Sequence, residues 1–194
     1  MDSSSIILSV WHIIVSYMEQ KDYVTCMLID PAVKFQRLDI RQRKLKISIP
    51  KILGQSNFSY IEELQCANNK AITDLNHFTQ LRWLDCSGCS NLSLKGIEAL
   101  KLEYLNCSGN LWVTELNSFK YLKALECEDC ENLTMQGIEG LKQLRSFNCN
   151  FNDWVKSLEN FKNLTCLNCR ECPNLDMKSI KSLKLQKLDA RGNV

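Results

Sequence analysis

The sequence predicts an α/β repeat fold, a stack of short units that each open with a strand, behind a compact N-terminal helical segment. Three observations carry this. The spacing L-x-x-L-x-C-x-x-(N/C) recurs with starts at Ile61, Leu81, Leu102, Leu122, Leu144, Leu164 and Leu185, in steps of 20, 21, 20, 22, 20 and 21 residues. Self-similarity at that period marks units that bury an apolar face only by stacking on their neighbours. The copies also alternate between two forms, and residues 1–46 lack the repeat and place apolar residues at helical spacing.

In chain order, Ile6, Ile7, Val10, Ile13, Ile14, Tyr17 and Met18 fall on one helical face, with Ser5 placed to cap it. Asp22 can cap a second helix carrying Val24, Met27 and Leu28, and Asp30-Pro31 opens a third with Val33, Phe35 and Leu38. The apolar start is too short to span a bilayer and lacks the basic opening of a secretion signal. The order Ile14, Tyr17, Asp22, Ile29 within Val10–Ile29 resembles the F-box, with Ile6-Ile7 in place of its Leu-Pro and Gln20 in place of its Pro. That resemblance, over residues 6 to 46, implies docking of Ile7, Val10, Ile14, Tyr17 and Met18 on the Skp-type adaptor of a cullin-RING (SCF-type) ubiquitin ligase. A cap over the first turn of the stack is the competing reading, since terminal repeats need a polar-faced cover. Phe35-x-x-Leu38-x-Ile40 also fits a degenerate leading repeat, and Leu45-x-Ile47-x-Ile49 alternates like a strand. The basic run Arg37, Arg41, Arg43, Lys44 and Lys46 reads best as a solvated face or connector.

Within each repeat, the first, fourth and sixth residues point inward and the third and fifth outward, as alternation through a short strand requires. The ninth residue sits where the chain turns away, and its amide or thiol can bond backbone groups freed by the turn. One form has Asn there (Asn69, Asn110, Asn152, Asn193) and later a Phe (Phe78, Phe119, Phe161). The other has Cys (Cys89, Cys130, Cys172), then Asn-Leu and an Ile-x-x-Leu. These features resemble the leucine-rich repeat family, and the Cys form resembles its cysteine-containing subtype. The resemblance implies a solenoid over residues 47–194 with short parallel strands on a concave face and turns or short helices on a convex one.

Eleven cysteines, six of them in the C-x-x-C pairs Cys86/Cys89, Cys127/Cys130 and Cys169/Cys172, invite a zinc reading. The repeat register explains them instead, since every pair is a sixth and a ninth position, and buried free Cys behaves as a small hydrophobe. So many thiols on neighbouring turns point to a reducing compartment, cytoplasmic or nuclear. Formal net charge is +2, too near neutral to argue for nucleic acid. His12 and His77 meet no placed nucleophile in this register, no phosphate-cradling Gly loop is present, and no cofactor or metal is expected.

An interaction protein is therefore expected rather than an enzyme: an SCF adaptor holding a client protein on its repeats or, alternatively, a free-standing repeat scaffold. The third, fifth and seventh positions make the presenting surface, with Trp83, Asp85, Tyr104, Asn106, Glu126, Asn148 and Arg170 as candidate client contacts. Trp83 and Tyr104 fall on adjacent repeats and are hot-spot residue types; packing against the N-terminal helices is the alternative. Trp112 and Trp154 are expected to cover turns. The seventh copy, Leu185 to Val194, has no convex return, so either self-association through that edge or a longer product of which this chain is one part is expected.

Overall fold

The computed structural model describes residues 61–193 and the backbone of residues 37–39. Eight strands, β1 (Arg37–Asp39), β2 (Glu63–Gln65), β3 (Trp83–Asp85), β4 (Tyr104–Asn106), β5 (Ala124–Glu126), β6 (Ser146–Asn148), β7 (Cys166–Asn168) and β8 (Lys187–Asp189), form one parallel sheet in sequence order. Each repeat pairs with the next at the same register, Leu64 opposite Leu84 and Leu84 opposite Leu105. Parallel neighbours need a long crossover, and here the rest of each repeat supplies it.

Leu38 pairs with Leu64 in that same register, which is the strand expected from a leading repeat at Phe35-x-x-Leu38-x-Ile40. A third helix running through Leu38 is thereby corrected: pairing along the β2 edge satisfies backbone groups in series and outweighs local helical spacing. The sheet thus begins on the N-terminal side of residue 46. The first two helices, including Ile7, Val10, Ile14, Tyr17 and Met18, and the segment Leu45-x-Ile47-x-Ile49 lie outside the described residues.

The first, fourth and sixth residues are buried in each copy from Ile61 to Cys169 and form one continuous core with the Phe78, Phe119 and Phe161 rings. The eighth residue of every copy is left-handed, with φ of 60° at Asn68, 63° at Gly88, 67° at Gly109, 54° at Asp129, 58° at Phe151, 50° at Glu171 and 78° at Gly192. This turns the chain out of the strand while its amide still reaches the next repeat, as Asn68 N–H does to the Ser87 carbonyl at 2.7 Å. Gly, Asn and Asp adopt that geometry readily; Phe151 and Glu171 do so against their side chains.

The ninth residues form the predicted ladder. The Asn152 amide donates to the Cys127 and Cys149 carbonyls at 2.8 and 3.0 Å, and its oxygen accepts from Cys130 N–H at 3.0 Å. Asn110 donates to the Cys86 and Cys107 carbonyls at 2.9 and 3.0 Å, while its buried oxygen has no partner. The Cys89, Cys130 and Cys172 thiols each donate to the sixth-position carbonyl of the preceding repeat, at 3.0, 3.3 and 3.1 Å. Contact with the Cys149 thiol draws Cys172 down to about 7, whereas burial pushes Cys169 up to about 12. Trp112 and Trp154 cover the turns as expected, their indole N–H groups donating at 3.0 Å to the Cys89 and Cys130 carbonyls.

The two forms return differently. Cys repeats turn back through a 3-10 turn at Leu94–Gly96 and at Gln136–Ile138 and through the α-helix Met177–Lys181. Ser93 and Asp176 cap the first and third, accepting from Gly96 and Lys178 N–H at 3.3 and 2.9 Å, and Thr134, just before the second, accepts from Gly137 N–H at 3.1 Å. Asn repeats return without a helix. Gly96 and Gly137 lie against them so closely that a Cβ would fall 2.4 and 2.6 Å from the Thr73 and Thr114 carbonyl oxygens. Two further asparagine columns tie neighbours together: Asn91, Asn132 and Asn174 donate to the Lys70, Leu111 and Asp153 carbonyls at 2.7 Å, and Asn76 and Asn117 to Lys95 and Gln136 at 2.8 Å.

Candidate functional site

Because strand residues alternate faces, the third and fifth positions of successive repeats form two columns on the open face of the sheet. The third-position column runs Glu63, Trp83, Tyr104, Ala124, Ser146, Cys166, Lys187, and the fifth runs Gln65, Asp85, Asn106, Glu126, Asn148, Asn168, Asp189. Trp83 and Tyr104 are half-buried and stack on each other, ring centroids 4.5 Å apart and planes 3° from parallel. Tyr104 Oη donates to Glu126 Oε1 at 2.7 Å. Burial and that carboxylate push the Tyr104 hydroxyl well above its ordinary range, so it stays a donor and the ring stays fixed. The aromatic pair packs on itself and on Glu126; the N-terminal helices proposed as its cover lie outside the described residues.

Beside the rings, Asp85 Oδ1 accepts from the Ser87 hydroxyl and backbone N–H at 2.8 and 3.1 Å, and Asn106 Oδ1 from Ser108 N–H at 3.1 Å. Both side chains close a local turn over the seventh residue and are held in one orientation. The structure therefore brings Trp83, Asp85, Tyr104, Asn106 and Glu126 together on three adjacent strands. Asn148 lies one strand further on, accepting from Asn150 N–H at 3.3 Å. Arg170 stands apart at the far end, where its Nε donates to Asp189 Oδ2 at 2.8 Å. Arg191 binds the same carboxylate at 2.9 Å, and the two guanidinium groups, Arg191 first, hold Asp189 well below the usual carboxylate range.

One seventh-position residue does not project as expected. Asn150 is buried, its oxygen accepting from Arg170 N–H at 2.7 Å and its amide donating to Glu128 at 3.3 Å. Bridging two repeats this way uses both ends of the amide, which turns the side chain along the sheet instead of away from it.

Three features were missed in the sequence. A shallow depression of about 270 Å³ lies over β6 to β8, lined by Ser146, Cys166, Asn168, Lys187 and Asp189. Its signal was the run of small third-position residues Ala124, Ser146 and Cys166. Phe151 holds a left-handed backbone at the rim with its side chain half exposed; an aromatic at a position otherwise Gly, Asn, Asp or Glu was the signal. Leu188 occupies the fourth position, buried in every copy from Leu64 to Leu167, yet is 49% exposed on β8. Among the described residues no group of three or more His, Cys, Asp or Glu is placed to hold a metal ion, and no helix is long and apolar enough to cross a membrane.

The fold is that of leucine-rich-repeat proteins. Internalin C2 of Listeria monocytogenes matches with a TM-score of 0.58 at 23% identity, over 70% of this chain and 63% of that one. The functional domain of InlJ from the same organism, described as including a cysteine ladder, matches with a TM-score of 0.53 at 24% identity, over 71% and 36%. TLR13 in its complex with ssRNA13 matches with a TM-score of 0.61 at 19% identity, over 90% and 26%. The chain thus spans less than two-thirds of these proteins' lengths. No protein-family model matches it, and no curated protein is similar in sequence.

Proposed function

We propose that the chain is a binding scaffold that captures a protein partner on the open face of its sheet, through the Trp83–Tyr104 stack and the polar residues around it. The observation that carries this is the preorganised ring pair, stacked within 3° and locked by the Glu126 hydrogen bond. Rigid aromatics of this kind supply interface area at low entropic cost and concentrate binding energy. A nucleic-acid ligand fits poorly, because the outward positions of β2 to β5 carry Glu63, Asp85 and Glu126 and no Lys or Arg, whereas phosphate demands cations. Selecting displayed protein binders against the chain, then measuring them on Trp83→Ala and Tyr104→Ala, tests the reading. Losses of about tenfold or more are expected; binders indifferent to both substitutions would refute it.

The finer reading, an SCF adaptor docking a Skp-type protein through Ile7, Val10, Ile14, Tyr17 and Met18, is supported by the sequence pattern of Val10 to Ile29. Co-purification with such an adaptor, abolished by Ile14→Asp, is its expected result. The ten cysteines among the described residues are free, and all but Cys166 are buried, which supports a reducing compartment, cytosol or nucleus.

A further inference from the structure

The open sheet face is electrically graded along its length. In the third, fifth and seventh positions of the copies starting at Ile61, Leu81, Leu102 and Leu122, the charged residues are Glu63, Asp85, Glu126 and Glu128, with no base. In the next three copies they are Arg170, Lys187 and Arg191 against Asp189 alone. The aromatic pair lies in the acidic half. Asp85 and Glu126 flank it two strands apart, a gap of roughly 9–10 Å at ordinary strand spacing, with Asn106 between them.

From this geometry we infer that the partner is an extended protein segment that sets a lysine or arginine side chain beside the Trp83–Tyr104 stack, between the Asp85 and Glu126 carboxylates. The inference rests on the binding-face reading above and supplies its chemistry. Asp85 Oδ1 is occupied by Ser87 and Glu126 Oε1 by Tyr104, and these bonds aim both carboxylates while leaving each a second oxygen for an incoming cation. The outer face of the Tyr104 ring, turned away from Trp83, is electron-rich and adds an attraction for Lys and Arg that anions do not share. Ala124, opposite Tyr104 across the β4–β5 ladder, adds only a methyl, so a long side chain reaches the ring without displacing a larger one. Further along, the small side chains Ser146 and Cys166 floor the depression that ends at Lys187, leaving room for the segment to continue toward the basic end. An acidic residue in the partner there would meet Lys187 and the Arg170–Asp189–Arg191 cluster. The gradient therefore fixes the direction in which the segment crosses the strands.

The experiment is a fluorescence-polarisation titration of the full chain with a labelled, unstructured peptide of alternating lysine and serine. Parallel titrations use the same peptide with glutamine, or with glutamate, at every lysine. Saturable binding of the lysine peptide alone is expected, weakening with added salt because the pair is solvent-accessible. Asp85→Asn with Glu126→Gln, which keeps both internal acceptors and so the fold, should weaken it about tenfold or more, as should Trp83→Ala. Equal binding of the glutamine peptide would overturn the cationic partner yet leave the binding face standing. Lysine-peptide binding untouched by these substitutions would place the cation elsewhere and overturn the inference. Failure of every peptide to bind would overturn it too, while binders selected on the Trp83–Tyr104 stack would still stand.

Discussion

The Asn repeats and the Cys repeats share a strand, a buried leucine set and a left-handed eighth residue, yet they stabilise the stack by different means. Asn152 ties together the Cys127 and Cys149 carbonyls and the Cys130 N–H. Cys130, at the same position one repeat earlier, offers a single weak S–H bond to the Cys107 carbonyl. What the Cys repeats lack in ladder bonds they make up on the return, where a capped helical turn packs against the extended return of the Asn repeat before it. The structural unit is thus a pair of repeats, one supplying the polar ladder and the other the helical packing.

Removing the strongest rung should separate the two forms most. Asn152→Ala leaves the Cys127 carbonyl and the Cys130 N–H without partners and the Cys149 carbonyl with the Cys172 thiol alone, and should cost about 4 kcal/mol in denaturant unfolding. Asn110→Ala should cost less, because the Asn110 oxygen accepts nothing to begin with. Testing the return instead, Gly137→Ala drives a methyl to 2.6 Å from the Thr114 carbonyl and should cost about 2 kcal/mol. The weak rung should be cheaper still: Cys130→Ala loses a thiol bond and little volume, about 1 kcal/mol by the same measurement. If Cys130→Ala proves as damaging as Asn152→Ala, the division of labour between the forms is wrong. The smallest effect has the opposite sign. Phe151→Gly relieves a left-handed aromatic and should raise unfolding stability by up to about 1 kcal/mol, which would mark Phe151 as a residue kept for something other than the fold.

Much of this was legible in the sequence because burial and bonding in a solenoid repeat with the chain. The core positions, the ladder and the exposed columns follow from counting along L-x-x-L-x-C, since each side chain meets its own counterpart one repeat away. Even the alternation of Asn with Cys was visible, but not its reason: the helical return sits in the Cys form, and Gly96 and Gly137 reveal why only in contact with the preceding repeat. The strand at Arg37–Asp39 was a choice between two local patterns, and pairing with β2 made it.

The candidate site divides in the same way. The register alone placed Trp83, Tyr104, Asp85, Asn106 and Glu126 on one face, because strand alternation is a local property of the backbone. That the two rings stack and that Tyr104 binds Glu126 depends on side chains from three strands meeting at once. So does the loss of Asn150 from the surface and the capture of Arg170 by Asp189. Spacing determines which neighbours a residue can have; only the packed sheet decides which of them it bonds, because each donor has several acceptors within reach and the geometry of the stack selects among them.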